Sequence, residues 1–462
     1  MKQANTKKGA SPTLLVILSF IGVILFGSLL LTLPIAHQNG EWGDYMDSIF
    51  VATSATCVTG LSTYANGIGA ELTFFGQLVV LIMIQIGGLG FITILAFFIS
   101  IFQRKLKFKD RLFLSQAVNS TNFAWVGKFV RRVIGIVLTV EIIGFILGLP
   151  VFFSIEGYST TDALWGSAFL SISAFNNAGF DIFGATSLVR GAGNAVIDSL
   201  PNWAYYYMLS YVMVLIVLGG ISFTVIMEIF MDRKKPKQWS AFTKIVLVST
   251  AFLIVAGFLA FLLTDVIFTH DMNVFEALFQ SITTRTAGFA ASDQNSMSIA
   301  GKTISSVLMF IGGSPIGTAG GIKTTTIFMM VLCFFKFIKG KPIVAFNRQY
   351  SRQSIIKAMS LVFLSIVIAL IGFAVIANIE NAVSNPLASS ENIFFEVFSA
   401  FGTTGLSSGI TPSLTMASKI LICLLMFFGR LGPITMFQVF QSSADTQETK
   451  HFKYIETDVI IG

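Results

Sequence analysis

The sequence predicts an all-α membrane protein: eight transmembrane helices and four shorter re-entrant helices, ordered as four pseudo-repeats of helix, re-entrant segment and helix around one central pore. Three observations predict it. The first is composition: of 462 residues, 54% are hydrophobic, 47 are Phe and only 11% are charged, against about 25% charged in an ordinary soluble domain. A chain this apolar aggregates in water, so its solvent is a bilayer. The second is a regular alternation of long and short apolar runs. The third is a glycine that recurs once in each pair of long runs.

Composition also excludes function classes. The chain is neither disordered nor a nucleic-acid-binding module nor a standard soluble enzyme. Its net charge of +7 fits the surplus of Lys and Arg that membrane proteins carry on cytoplasmic loops. Cys57, Cys333 and Cys423 are isolated and odd in number, so they offer neither a disulfide framework nor a CxxC metal site. Three scattered His make no metal centre. No nucleophile–base pair, phosphate loop or metal cluster appears, which argues against an enzyme.

A spanning helix needs about 20 apolar residues. Long runs lie near 14–35, 73–101, 127–153, 204–231, 243–268, 303–337 (interrupted), 355–378 and 416–440. The first is too long for a signal-peptide core and lacks a small-residue cleavage site, so it is read as retained. Four shorter runs, near 45–57, 161–176, 273–285 and 390–402, are too short to span, and each ends in a Gly-containing stretch. The loops at 104–111, 233–237 and 336–357 and both tails are rich in Lys and Arg. The alternate loops carry acids such as Glu41, Asp162, Asp271 and Glu391. By the positive-inside rule both termini are cytoplasmic and the short runs enter from outside. The expected division is a tail at 1–12, repeats at 13–111, 112–238, 239–348 and 349–441, and a tail at 442–462.

The repeats rest on Gly60, Gly179, Gly288 and Gly405. Ten positions before each lie Phe50, Phe169, Leu278 and Phe395. Directly before lie the small residues Thr59, Ala178, Ala287 and Thr404, and directly after lie Leu61, Phe180, Phe289 and Leu406. The following helices carry Gly-Gly at 87–88, 219–220 and 312–313, then Gly429-Arg430. A helix that stops inside a bilayer must have its last carbonyls buried in protein or facing water. Four such ends around one axis aim their negative C-termini at the centre, which favours a cation. The extended residues after them present carbonyls, and Gly permits a positive φ and close approach.

The matching stretches are Thr56, Cys57, Val58, Thr59, Gly60 and Leu61; Asn176, Asn177, Ala178, Gly179 and Phe180; Arg285, Thr286, Ala287, Gly288 and Phe289; and Gly402, Thr403, Thr404, Gly405 and Leu406. Together with the Gly-rich stretch 312–326, Gly429 to Pro433 and the tail 454–462, they resemble the Trk/Ktr/HKT superfamily of potassium transport proteins. Its bacterial Ktr membrane subunits are the nearest likeness. The resemblance spans essentially the whole chain. It implies a channel-like potassium uptake subunit of the bacterial plasma membrane, working as a homodimer in lipid. It also implies regulation by a cytoplasmic nucleotide-binding ring, and no cofactor beyond the potassium it carries, with sodium activation left open. In this family four filter glycines go with potassium and a Ser at the first goes with sodium, so Gly60 favours potassium. A sodium or mixed sodium/potassium translocator uses the same scaffold. A secondary transporter with a midplane solute site needs polar residues that these segments lack.

Four further features call for an expectation. A guanidinium in the ion path would repel potassium by about 4 kcal/mol at about 4 Å, so Arg285 is expected behind the filter. Gly312, Gly313, Gly317, Gly320 and Gly321 crowd with Pro315 into a segment no helix can continue through. The family resemblance makes it, with Thr318 inside it, a gate below the filter, followed by Lys323 and a resumed helix. Arg430 is expected to tether that loop through carbonyls, since an intramembrane Arg is functional by default. Glu141, midway along the third span, is open between a buried hydrogen bond and a basic partner.

Overall fold

The computed structural model describes residues 12–90, 123–184, 186–231 and 235–433. The expected tails, the basic loop 104–111, the boundary between the first two repeats and the stretch 454–462 lie outside the described residues.

Thirteen principal helices follow one order four times: long, short, second. They are α1 (Pro12–Thr32), α2 (Tyr45–Cys57) and α3 (Phe74–Leu89); α4 (Phe123–Phe152), α5 (Thr160–Asn176) and α6 (Asn202–Gly220); α7 (Ala241–Phe261), α8 (Val274–Thr283) and α9 (Ile299–Phe310), resumed as α10 (Thr324–Ile338); and α11 (Arg352–Ala382), α12 (Ser390–Gly402) and α13 (Met416–Leu431). Each set is called a unit below. A two-stranded hairpin, Val344–Ala345 with Arg348–Gln349, lies in the basic connection between α10 and α11.

Every short helix starts on a side chain that accepts backbone N–H bonds: Asp44, Ser159, Asn273 and Ser389. Polar caps there satisfy amides that the helix cannot satisfy itself. Among the described residues four helices are long and apolar enough to cross a membrane: Phe129–Phe152, Asn202–Gly220, Ala241–Phe268 and Arg352–Ala382. The four long helices also turn bulky apolar side chains outward, among them Phe26, Ile146, Phe252 and Phe363. Such a surface suits acyl chains and not water.

Inside, the aromatic residues ten positions before the recurring glycine hold the units together. Phe50, Phe169 and Phe395 are fully buried, and Leu278 is partly buried. One apolar cluster joins the first and fourth units, and another joins the second and third.

One expectation needs correction. The run 204–231 reads as one uninterrupted span, yet α6 ends at Gly220, Ile221 is extended and a short helix restarts at Phe223. The break expected only at 312–321 thus recurs after Gly220, and α3 ends at Leu89 and α13 at Leu431, directly after Gly87-Gly88 and Gly429-Arg430. The cause is packing. A Cβ on Gly87, Gly219 or Gly429 would collide with the carbonyl of Thr56, Phe175 or Phe401 respectively. In the first, second and fourth units the second helix therefore lies backbone to backbone against the last turn of its own short helix, whereas Gly312 and Gly313 of the third pack against Gly320 O and Ala319.

Candidate functional site

The short helices α2, α5 and α12 end alike. Val58, Asn177 and Thr403 take the left-handed conformation and donate to the carbonyls of Ala55, Ala174 and Ala400. The next amides, of Thr59, Ala178 and Thr404, donate to Ser54, Ser173 and Ser399. This paired closure satisfies carbonyls that a helix end leaves bare. Two residues beyond the left-handed position comes the recurring glycine, again at positive φ: 103° at Gly60, 70° at Gly179, 81° at Gly288 and 96° at Gly405.

These glycines form a closed ring in chain order. A Cβ on Gly60 would strike Ala178 O and Gly179 Cα. One on Gly179 would strike Ala287 O and Gly288 Cα, one on Gly288 Thr404 O, and one on Gly405 Thr59 O and Gly60 Cα. The carbonyl before each glycine thus lies against the glycine of the preceding unit. Four carbonyls gather where the four short helices converge.

Buried hydroxyls follow the same segments. The side-chain oxygens of Thr56, Thr59, Thr286, Thr403 and Thr404 are buried without a hydrogen-bond partner among the described residues. All five lie within four residues of a ring glycine in the chain, and Thr403 Oγ1 lies against Gly320. Among the described residues no cluster of His, Cys, Asp or Glu could hold a metal ion. Potassium would be cargo here, not a resident cofactor.

Sequence reasoning missed a set of hydroxyl braces behind the ring. Ser54 Oγ accepts from Gly60 N (3.0 Å) and Ser399 Oγ from Gly405 N (3.1 Å). Ser173 Oγ donates to Phe180 O (2.5 Å) and Thr283 Oγ1 to Phe289 O (2.7 Å). The signal was a Ser six residues before three of the glycines. The third unit shifts it by one, to Thr283, because α8 closes differently: Thr284 stays right-handed and Ala287 N donates to Thr283 O.

Three residues before the ring glycines, the side chains turn away. Cys57 is fully buried. Arg285 Nη1 donates to Thr250 O on α7 (3.4 Å), beside Ile216 and Val217 of α6. Asn176 Nδ2 donates to Glu141 Oε1 and Gln85 Oε1 (both 2.9 Å), and Gln85 Nε2 donates to Glu141 Oε2 (3.0 Å). The carboxylate therefore has amide partners on α3 and α5.

Beneath the ring lies the segment from Ile311 to Lys323. It folds back on itself through a bridge between Ile311 and Ile322. Ser314 N and Thr318 N donate to Gly220 O (3.1 Å) and Gly219 O (3.3 Å), using carbonyls that α6 leaves bare. Gly312 and Gly313 press against Gly320 O and Ala319, Gly317 lies by Ile221 O, and Gly320 and Gly321 lie by Thr403 and Gly402 O. The segment thus sits under the ends of α5 and α12. Lys323 Nζ donates to Ala319 O (2.6 Å). Arg430 donates through Nη1 to Thr318 O and through Nη2 to Gly87 O, so it joins the segment to the end of α3.

On the opposite side a cavity of about 620 Å³ opens onto the ring, lined among others by Gly60, Gly179, Gly288, Gly405, Asp181 and Asp293. Asp181 accepts from Ser187 Oγ (2.5 Å) and Phe183 N (3.1 Å). Burial pushes its carboxyl up to about 6 despite those bonds.

Comparison with known proteins places this architecture. The family model TrkH, described as a cation transport protein, matches residues 10–448. A potassium/sodium uptake protein, NtpJ, from Enterococcus hirae is 34% identical over 99% of both chains. The Ktr system potassium uptake protein B of Bacillus subtilis is 32% identical, covering 98% of this chain and 97% of its own. The crystal structure of the potassium transporter TrkH from Vibrio parahaemolyticus shares the fold, with a TM-score of 0.67 at 16% identity over 95% of this chain and 86% of that one.

Proposed function

The chain belongs to the TrkH family of cation transport proteins, and from that premise we propose that it is the pore-forming subunit of a Ktr-type potassium uptake system. The observation that carries this reading is the closed ring of four positive-φ glycines with a carbonyl at each junction, flanked in the chain by five partnerless hydroxyls. A ring of carbonyls that replaces hydration water is how potassium filters work. The negative ends of the short helices add to the attraction for a cation.

In this reading the eight longer helices span the bilayer, the short helices re-enter from outside, and the units at 13–111, 112–238, 239–348 and 349–441 surround one pore with both termini cytoplasmic. An ion enters the outer cavity, loses water at Thr56 to Gly60 and the matching residues of the other units, and meets the 312–321 segment as gate. Arg430 and Lys323 hold that gate by its carbonyls. Named relatives belong to "Ktr system" assemblies, which fits a homodimer in lipid controlled by a cytoplasmic nucleotide-binding subunit. A second reading, mixed potassium and sodium uptake, is favoured by the NtpJ relative, a potassium/sodium uptake protein.

The test is growth of a potassium-uptake-deficient bacterium on low potassium, with rubidium uptake competed by sodium. Rescue with weak sodium competition supports the first reading. Rescue with equal competition supports the second. No rescue by protein present in the membrane overturns both.

A further inference from the structure

At its inner end each of α2, α5 and α12 is held by its own unit, through the backbone contacts at Gly87, Gly219 and Gly429. At its outer end it is held by the preceding unit, and at three of the four junctions the holding residue is the fourth of the second helix. Gln77 of α3 accepts at Oε1 from Trp165 Nε1 of α5 (2.7 Å). Lys302 of α9 donates to Asn392 Oδ1 of α12 (3.1 Å), with Glu391 at 3.9 Å. Lys419 of α13 pairs with Asp47 of α2 (2.9 Å). At the remaining junction Tyr206 of α6 meets Phe275 of α8 edge to face, with ring centroids 5.3 Å apart.

The contacts run in one direction, from first to second, second to third, third to fourth and fourth back to first. They repeat the cyclic order of the ring glycines one helix length away, about 15 Å for ten residues of α-helix. Lys302 is 5% exposed, so its charge is committed to this junction and not to solvent.

Resting on the transport reading above, we infer that these four contacts form a belt that fixes the separation of the short helices, and that its residues are positioning residues for ion selectivity. A carbonyl cage discriminates only while it resists closing around a smaller ion. Whether size or ligand field dominates, a cage whose struts splay or collapse loses the distinction. The Lys419–Asp47 pair is the seam where the last unit meets the first, and at 2.9 Å it is the closer of the two junctions that pair opposite charges.

The experiment reads selectivity, not only uptake: rubidium flux into proteoliposomes, competed by sodium, for wild type, Lys419→Met, Asp47→Asn, the double variant and Lys419→Arg. Each single loss is expected to lower the potassium-over-sodium preference by about fivefold, the double by the same factor and not its square, while Lys419→Arg stays near wild type. Folded single variants with wild-type preference, or losses that multiply, overturn the inference. If Lys419→Met does not fold, Trp165→Phe tests the first junction by removing the indole N–H together with part of the ring. It is expected to lower preference about twofold, and an unchanged value overturns the belt. Wild-type protein that moves neither ion sinks the transport reading, whereas transporting wild type with unchanged variants sinks the belt alone.

Discussion

In the ring, side chains as different as Val58, Asn177, Thr286 and Thr403 share one left-handed conformation, with φ between 51° and 71°. One layer down, the second positions of the glycine pairs diverge. A Cβ on Gly88 would strike the Asn176 amide and one on Gly313 would strike Ala319, while the fourth position holds Arg430, bound to Thr318 O and Gly87 O. The ring uses the backbone as its chemistry, so it is constant in conformation and variable in sequence. The layer beneath uses side chains, so its meaning lies in the one that differs.

The largest effect should come from forcing a side chain into the ring. Gly60→Ser puts a Cβ at φ 103° and against Ala178 O. A non-Gly residue in such backbone costs about 1–3 kcal/mol, which either opens the ring or tilts a carbonyl. The preference for potassium over sodium should fall about tenfold or more, read as sodium competition of rubidium uptake. Unchanged preference in well-expressed protein would remove the ring from the ion path.

Next come two tests of the layer beneath. Deleting 314–320 should leave preference intact and raise flux about tenfold at matched protein amounts, if the segment is a barrier. A folded variant with lower flux would make it a support for α6, whose Gly219 and Gly220 carbonyls it caps. Arg430→Ala removes only the tether. Bonds from a charged donor contribute about 1.5–3 kcal/mol, and shared between open and closed states that predicts basal flux up about three- to fivefold, with weaker control by a cytoplasmic partner. Wild-type flux and regulation would mean that Arg430 serves packing alone.

The same contrast explains what could be read from the sequence. The four short helices were legible almost to the residue, because their apolar runs end in polar caps such as Asp44 and Ser159 at one side and a glycine at the other. The ring glycines were legible as a repeat. The left-handed residues two positions earlier were not: Val58, Thr286 and Thr403 are β-branched and disfavour that backbone, so only the closed helix end imposes it. The break after Gly220 was hidden because Ile221 to Ile226 continues the apolar run, and it is the loop from another unit that takes the freed carbonyls. Arg430 stood out as the single departure from a glycine pattern, yet its second acceptor, Gly87 O, is 343 residues away. The belt residues, ordinary Lys, Gln and Asp near helix starts, carry no local signal at all.

The smallest effect sharpens the comparison from the other side of the ring, where a side-chain charge faces the entering ion. Asp181 lines the outer cavity, and its carboxyl titrates at about 6 against an ordinary 3.8 because burial disfavours the charge. The folded protein therefore holds this proton more tightly than the unfolded chain. Above about pH 6 the group is ionised at a cost to stability, and that cost fades as pH falls from about 6 towards 3.8. Function runs the opposite way: the charge that attracts cations is present above pH 6 and lost below it. A single charge at the wall of a water-filled cavity is worth on the order of 0.5 kcal/mol to a passing ion, about twofold in occupancy. Uptake from dilute potassium should thus fall about twofold between external pH 7 and pH 5, through KM and not the maximal rate. Asp181→Asn should remove the step and set uptake at pH 7 to the wild-type value at pH 5. A step that survives the substitution would move the sensing charge elsewhere on the rim, with Asp293 the next residue to replace.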